Sequence, residues 1–66
     1  MEISVNGKTQ TLSTPLTLTQ FLEKLGLAGR RVVLELNREI VPRDTYSSVH
    51  LQDGDSLEII HFVGGG

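Results

Sequence analysis

Apolar and polar residues alternate from the start of the chain. Ile3 and Val5 fall on one side, and Glu2, Ser4 and Asn6 on the other. A period of two marks a half-buried strand. Asn6-Gly7 follows, a pair that tolerates positive φ at both central positions of a two-residue turn. The TQTL stretch after it predicts the returning strand of a hairpin. Beyond Pro15 the period lengthens. Leu18, Phe21, Leu22 and Leu25 recur at helical spacing and predict one apolar helix face. Thr17 predicts the N-cap, Gln20 completes a capping box, and Leu16 and Phe21 are spaced for a hydrophobic staple. Gly26 predicts the stop.

A short LAGRR link leads to VVLEL, a strand with Leu34 and Leu36 on one face. Asn37-Arg38 predicts a turn, and Glu39, Ile40 and Val41 a brief strand. Pro42 cannot donate to a ladder, which places that strand at an edge. Asp44 is placed to cap a single turn carrying Tyr46. QDGD predicts a tight turn, and SLEIIHFV the last and longest strand. The order reads ββαββ, an α+β domain with one helix against one mixed sheet. The arrangement that best buries one helical stripe on one sheet face is a β-grasp, with the first and last strands parallel and central. In that arrangement the last strand leads straight out of the sheet into the closing glycines.

Size limits the chemistry. A chain of 66 residues reads as a single domain over 1–66, with a flexible glycine tail at 64–66. Such a chain buries only about 60% of its unfolded surface, too little for a deep active site with supporting layers around it. With 38% apolar and 21% charged residues, the composition is that of a globular domain. No apolar run approaches the roughly 20 residues that cross a bilayer, and the N-terminus lacks a signal pattern. The expected location is cytoplasmic, with no membrane partner. The net charge is −2 and the basic residues are scattered, only Arg30 and Arg31 being adjacent, which argues against nucleic-acid binding. The absence of cysteine removes disulfides, thiolate metal sites, iron–sulfur clusters and a thiol nucleophile.

The remaining motifs are weak as chemistry. His50 and His61 share no motif, and alternation sets His61 beside Leu57, Ile59 and Val63 as a half-buried structural histidine, or at the strand's frayed end. Ser47, His50 and Asp53 lie close in sequence without a nucleophile signature. Asp53-Gly54-Asp55 resembles a fragment of a calcium loop whose other ligands are missing, and predicts a turn. No phosphate loop is present. No catalytic residue, metal ligand or bound cofactor is expected, and the chain is not expected to be an enzyme.

What is left is the terminus. Three extended glycines reach roughly 10 Å, and without side chains they enter a channel too narrow for other residues. Gly64, Gly65 and Gly66 are thus either a frayed end or the working end. The strand before them tilts the choice. Leu57, Ile59 and Val63 fit the helix-facing side, leaving Ile60 and Phe62 opposite, with Val33 beside them. One helix covers one sheet face, so these three residues are expected to form an exposed apolar docking patch.

Three stretches, LNREIVPRD at 36–44, LQDGDSLEII at 51–60 and the terminal VGGG, resemble the ThiS family of sulfur carriers in thiamine biosynthesis, which are ubiquitin-like β-grasp domains. The resemblance spans the whole chain. It implies that the Gly66 carboxylate is adenylated by an ATP-using, ThiF-like enzyme and converted to a thiocarboxylate through a sulfur-donor system. It also implies that a ThiG-like thiazole synthase accepts the sulfur. Gly65 then completes the Gly-Gly end and Gly64 extends it. One departure stands out: family members often carry a tryptophan where this chain has Tyr46. Rival readings are a sulfur carrier for molybdopterin synthesis, a ubiquitin-like modifier attached through Gly66, and a β-grasp binding module whose tail is irrelevant.

Overall fold

A computed structural model describes residues 1–61 of the chain. The expectations for Phe62, Gly64, Gly65 and Gly66 lie outside the described residues. Strand β1 (Glu2–Val5) turns at Asn6-Gly7, with φ of 50° and 84°, into β2 (Lys8–Thr11). Helix α1 spans Leu18–Lys24, β3 Val32–Leu36 and β4 Glu39–Ile40. A single 3₁₀ turn covers Arg43–Thr45, and β5 runs Ser56–His61. The brief edge strand is a full member of the sheet, so the described order is ββαβββ rather than ββαββ.

The sheet order is β2-β1-β5-β3-β4. β1 and β5 are parallel neighbours, paired at Ser4 with Ser56 and Val5 with Leu57. β5 is antiparallel to β3 over five pairs, from Val32 with His61 to Leu36 with Leu57. The final strand is therefore central, as the pattern predicts.

The helix forms where its signals lie. The Thr17 side chain accepts from the Gln20 amide at 3.1 Å, and the Gln20 side chain accepts from the Thr17 amide at 2.9 Å. Two of the first-turn donors that every helix leaves open are met this way. Leu18, Phe21 and Leu22 are buried against the sheet.

Leu25 is not part of that face. The helix ends at Lys24, and Leu25, at the C-cap, is 37% exposed. Gly26, at φ 76°, reverses the chain. The Leu27 amide then donates to the Leu22 carbonyl at 2.8 Å, and the Gly26 amide to Glu23 at 3.0 Å. This is a Schellman ending, and it folds half-buried Leu27 onto the core in place of Leu25.

The core lies between the helix and one sheet face. Leu18, Leu34 and Leu57 are 0% exposed, each contributing about 1.5–3 kcal/mol by leaving water. Leu12, Leu51 and Tyr46 close its margins. Leu16 and Leu36 are only partly buried against it. Asp44 does not cap the turn that carries Tyr46: it sits inside it, with Pro42 at the N-cap position and no side-chain capping bond. Among the described residues no helix is long and apolar enough to cross a membrane.

Candidate functional site

The segment of interest follows β5 in the chain, and the sequence around β5 fixes how that strand is held. Asp55 and Asp53 hold the turn before it. Asp55 accepts from the Gln52 amide at 2.8 Å and from the Asn37 side chain at 3.0 Å, while Asp53 accepts from the Glu2 amide at 2.7 Å. The carboxylates suspected of resembling a calcium loop are thus turn-holders, and Gly54 supplies the φ of 87° that the turn requires.

At the other end β1 stops at Val5, but its pairing is prolonged by a side chain. Asn6 Oδ1 accepts from the Ile59 amide at 2.7 Å, and Asn6 Nδ2 donates to the Ile59 carbonyl at 3.3 Å. Asn6 thereby acts as one more rung of backbone. Beyond Ile59 no β1 residue is paired. By alternation, His61 directs its N–H and C=O toward that vacated side. At its last described residue the strand is held on one edge by β3 and, among the described residues, unpaired on the other.

Two of the three residues expected on the sheet face away from the helix lie there, one of them only half-exposed. Val33 and Ile60 are direct cross-strand partners on it, Val33 half-buried and Ile60 45% exposed. Phe62, the third expected member, lies outside the described residues. Ile40 joins the patch instead. The turn at Asn37-Arg38, with φ of 52° and 70°, sets Ile40 opposite Glu35, on the same face as Val33, and Ile40 is 68% exposed. The turn was visible in the sequence, and its two-residue length gives this register directly.

Beside the apolar rung lies an acidic one, which the sequence reading missed. Glu35 and Glu58 face each other across β3 and β5. Like charges directly opposite weaken a strand pair, so this rung does not serve the stability of the isolated domain. The face offers a partner an apolar row edged with negative charge.

Of the two placements expected for His61, the strand's end is the one found. His61 pairs with Val32 at the end of the strand and is exposed rather than half-buried. His50 is exposed as well, bridged to Thr17 through the backbone. Among the described residues no group of His, Asp and Glu is gathered as metal ligands would be.

Known proteins share this fold. The ThiS family model matches residues 2–66. A thiazole synthase of Paramagnetospirillum magneticum is 42% identical over 66 residues, covering 100% of this chain and 20% of that protein. The chain thus spans about a fifth of the length of the thiazole synthases it matches. The sulfur carrier protein ThiS of Bacillus subtilis is 42% identical over 50 residues, 76% of each chain. The crystal structure of a thiamine biosynthesis protein (ThiS) from Geobacter metallireducens superimposes with a TM-score of 0.85 at 36% identity, over 100% of both chains. With its hairpin, its single helix and its central last strand, this chain belongs to the ThiS family and has a ubiquitin-like β-grasp fold.

Proposed function

We propose that this chain is a sulfur carrier for thiazole formation in thiamine biosynthesis, a protein co-substrate rather than an enzyme. The observation that carries the reading is the family match, which runs through residue 66 and so includes the closing glycines. The geometry supports it, because β5, the strand that precedes those residues in sequence, lies in the middle of the sheet. A carboxylate is a poor electrophile until its oxygen becomes a leaving group. On a ThiF-like partner, a Gly66 carboxylate oxygen attacks the α-phosphorus of ATP, forming an acyl adenylate and releasing pyrophosphate. A hydrosulfide equivalent from the sulfur-donor system then attacks the acyl carbon. AMP leaves, and the proton goes to solvent, giving a thiocarboxylate. No oxidant is needed, and sulfur rides on the main chain of a protein without cysteine. A ThiG-like thiazole synthase is the acceptor. The matched thiazole synthases favour this over a molybdopterin pathway, since a region like this chain forms part of those proteins. Ile60, Val33 and Phe62 are the proposed docking residues, joined by Ile40 and the Glu35–Glu58 rung.

The test is intact mass with fragmentation after incubation with ATP, sulfide and a ThiF-like enzyme. Exchange of one oxygen for sulfur at Gly66 is expected. Fragmentation is required because oxidation at Met1 gives the same nominal shift. An unmodified Gly66 overturns the reading, isopeptide-linked adducts would replace it with a modifier, and selective capture of a molybdopterin synthase subunit would replace the pathway.

A further inference from the structure

Away from the outer sheet face, a cavity of about 220 Å³ opens between α1, the loop after it and the 3₁₀ turn. Its walls combine two chemistries. Leu22, Val32 and Tyr46 are buried and apolar, whereas Arg30 and Arg43 reach it from exposed positions. No lining residue is acidic, so on a chain of net charge −2 this is a local cationic site.

A second observation points to a ligand. Tyr46 is only 8% exposed, yet its hydroxyl has no hydrogen-bond partner among the described residues, nor has either guanidinium. No buried side-chain polar atom is sealed without a partner, so the phenol oxygen stands at open space with its donor free. The size narrows the occupant further. An apolar cavity of about 150 Å³ holds benzene, and drug-sized ligands need about 300 Å³ or more. The volume here, about 220 Å³, suits one ring with one charged substituent.

We propose that this cavity binds a small aromatic or heteroaromatic anion. Its ring lies on Leu22, Val32 and Tyr46, and its carboxylate or phosphate meets Arg30 and Arg43, with the Tyr46 hydroxyl donating. Planar guanidinium groups suit both headgroups through paired N–H donors. The site is independent of the carrier reading, since none of these residues lies on the docking face. It adjoins the tail-bearing strand all the same, because Val32 is the register partner of His61.

The experiment is an amide-resolved NMR titration of the full chain with phenyl phosphate and with phenylacetate. Benzyl alcohol and inorganic phosphate serve as controls. Saturable shifts at Ala28, Gly29 and Ser47 are expected, with a dissociation constant of about 1 mM for the better anion. The tighter of the two identifies the headgroup. Arg30→Gln and Arg43→Gln should each weaken binding about threefold, and together about tenfold, as exposed charge pairs do. Tyr46→Phe keeps the ring and the fold while removing the donor, and should weaken binding by a similar single step. Equal binding of benzyl alcohol, shifts that never saturate, or a double arginine variant that binds normally would each overturn the proposal.

Discussion

Asn6 offers the sharpest test of how the tail-bearing strand is held. It has two duties, a turn conformation at φ 50° and two side-chain bonds to Ile59 at 2.7 and 3.3 Å. Three substitutions separate them. Asn6→Gly accepts the positive φ freely and loses both bonds. At about 0.5–1.5 kcal/mol per partly buried hydrogen bond, the cost should be about 1–2 kcal/mol, the long donor bond counting least. Asn6→Ala loses the same bonds and adds about 1 kcal/mol for a side chain held in the left-handed region. Asn6→Asp keeps the 2.7 Å acceptor and loses the donor, so it should cost less than glycine. In a domain of this size 1 kcal/mol moves the melting temperature by roughly 4–8 °C, so the three variants are separable by thermal denaturation followed by circular dichroism. Hydrogen exchange at the Ile59 amide supplies the local readout, with protection lost in the glycine variant and retained in the aspartate variant. Should Asn6→Gly match the wild type within a few tenths of a kcal/mol, or should Ile59 stay protected in it, Asn6 is a turn residue only.

Other substitutions test the remaining parts. Leu34→Ala, at a position 0% exposed, should cost about 2–5 kcal/mol. That is much of the roughly 3–10 kcal/mol available to such a chain, and collapsed amide dispersion in NMR is the expected result. Glu58→Lys turns a like-charge rung into a complementary one and should raise the unfolding free energy by a few tenths of a kcal/mol, read as a higher urea midpoint. The same change should weaken capture by the activating enzyme, and an unchanged midpoint would remove the repulsion argument. Ile60→Asp should leave melting nearly unchanged and reduce affinity for a ThiF-like enzyme in calorimetry, whereas undiminished affinity would remove Ile60 from the docking face. Gly65→Val should abolish thiocarboxylate formation by intact mass without lowering the melting temperature, and a comparable loss of stability would point to a structural role instead.

Local signals in the sequence translated well where structure is local. Asn6-Gly7, the Thr17–Gln20 box and Asn37-Arg38 each act within a few residues, and each stands where its pattern places it. Leu25 misled because the i, i+7 position is on the helix face only if the helix lasts that long. The Schellman ending stops it one residue short and substitutes Leu27. The Asn6–Ile59 pair joins residues separated by 53 positions, and no periodicity reports such a partner. The Glu35–Glu58 rung likewise needs the register of β3 on β5, which only the folded sheet supplies. His61 follows the alternation of β5, but the core has ended by the time the strand reaches it, so it points the predicted way and finds solvent.

The central place of the last strand also governs when the domain can form. The hairpin of β1 and β2 lies on one side of β5, and β3 with β4 on the other. Neither half can complete its core until Leu57 and Ile59 arrive between them. Because β1 meets β5 across nearly the whole chain, the pairing that closes the sheet carries a large loop-closure cost, and folding should be slow for so short a protein. Assembly then waits for β5, and a half-made sheet has no resting state. β5 is also the strand whose docking turns two loose pieces into one domain, so the end of the described chain sits on an ordered support only when folding is complete.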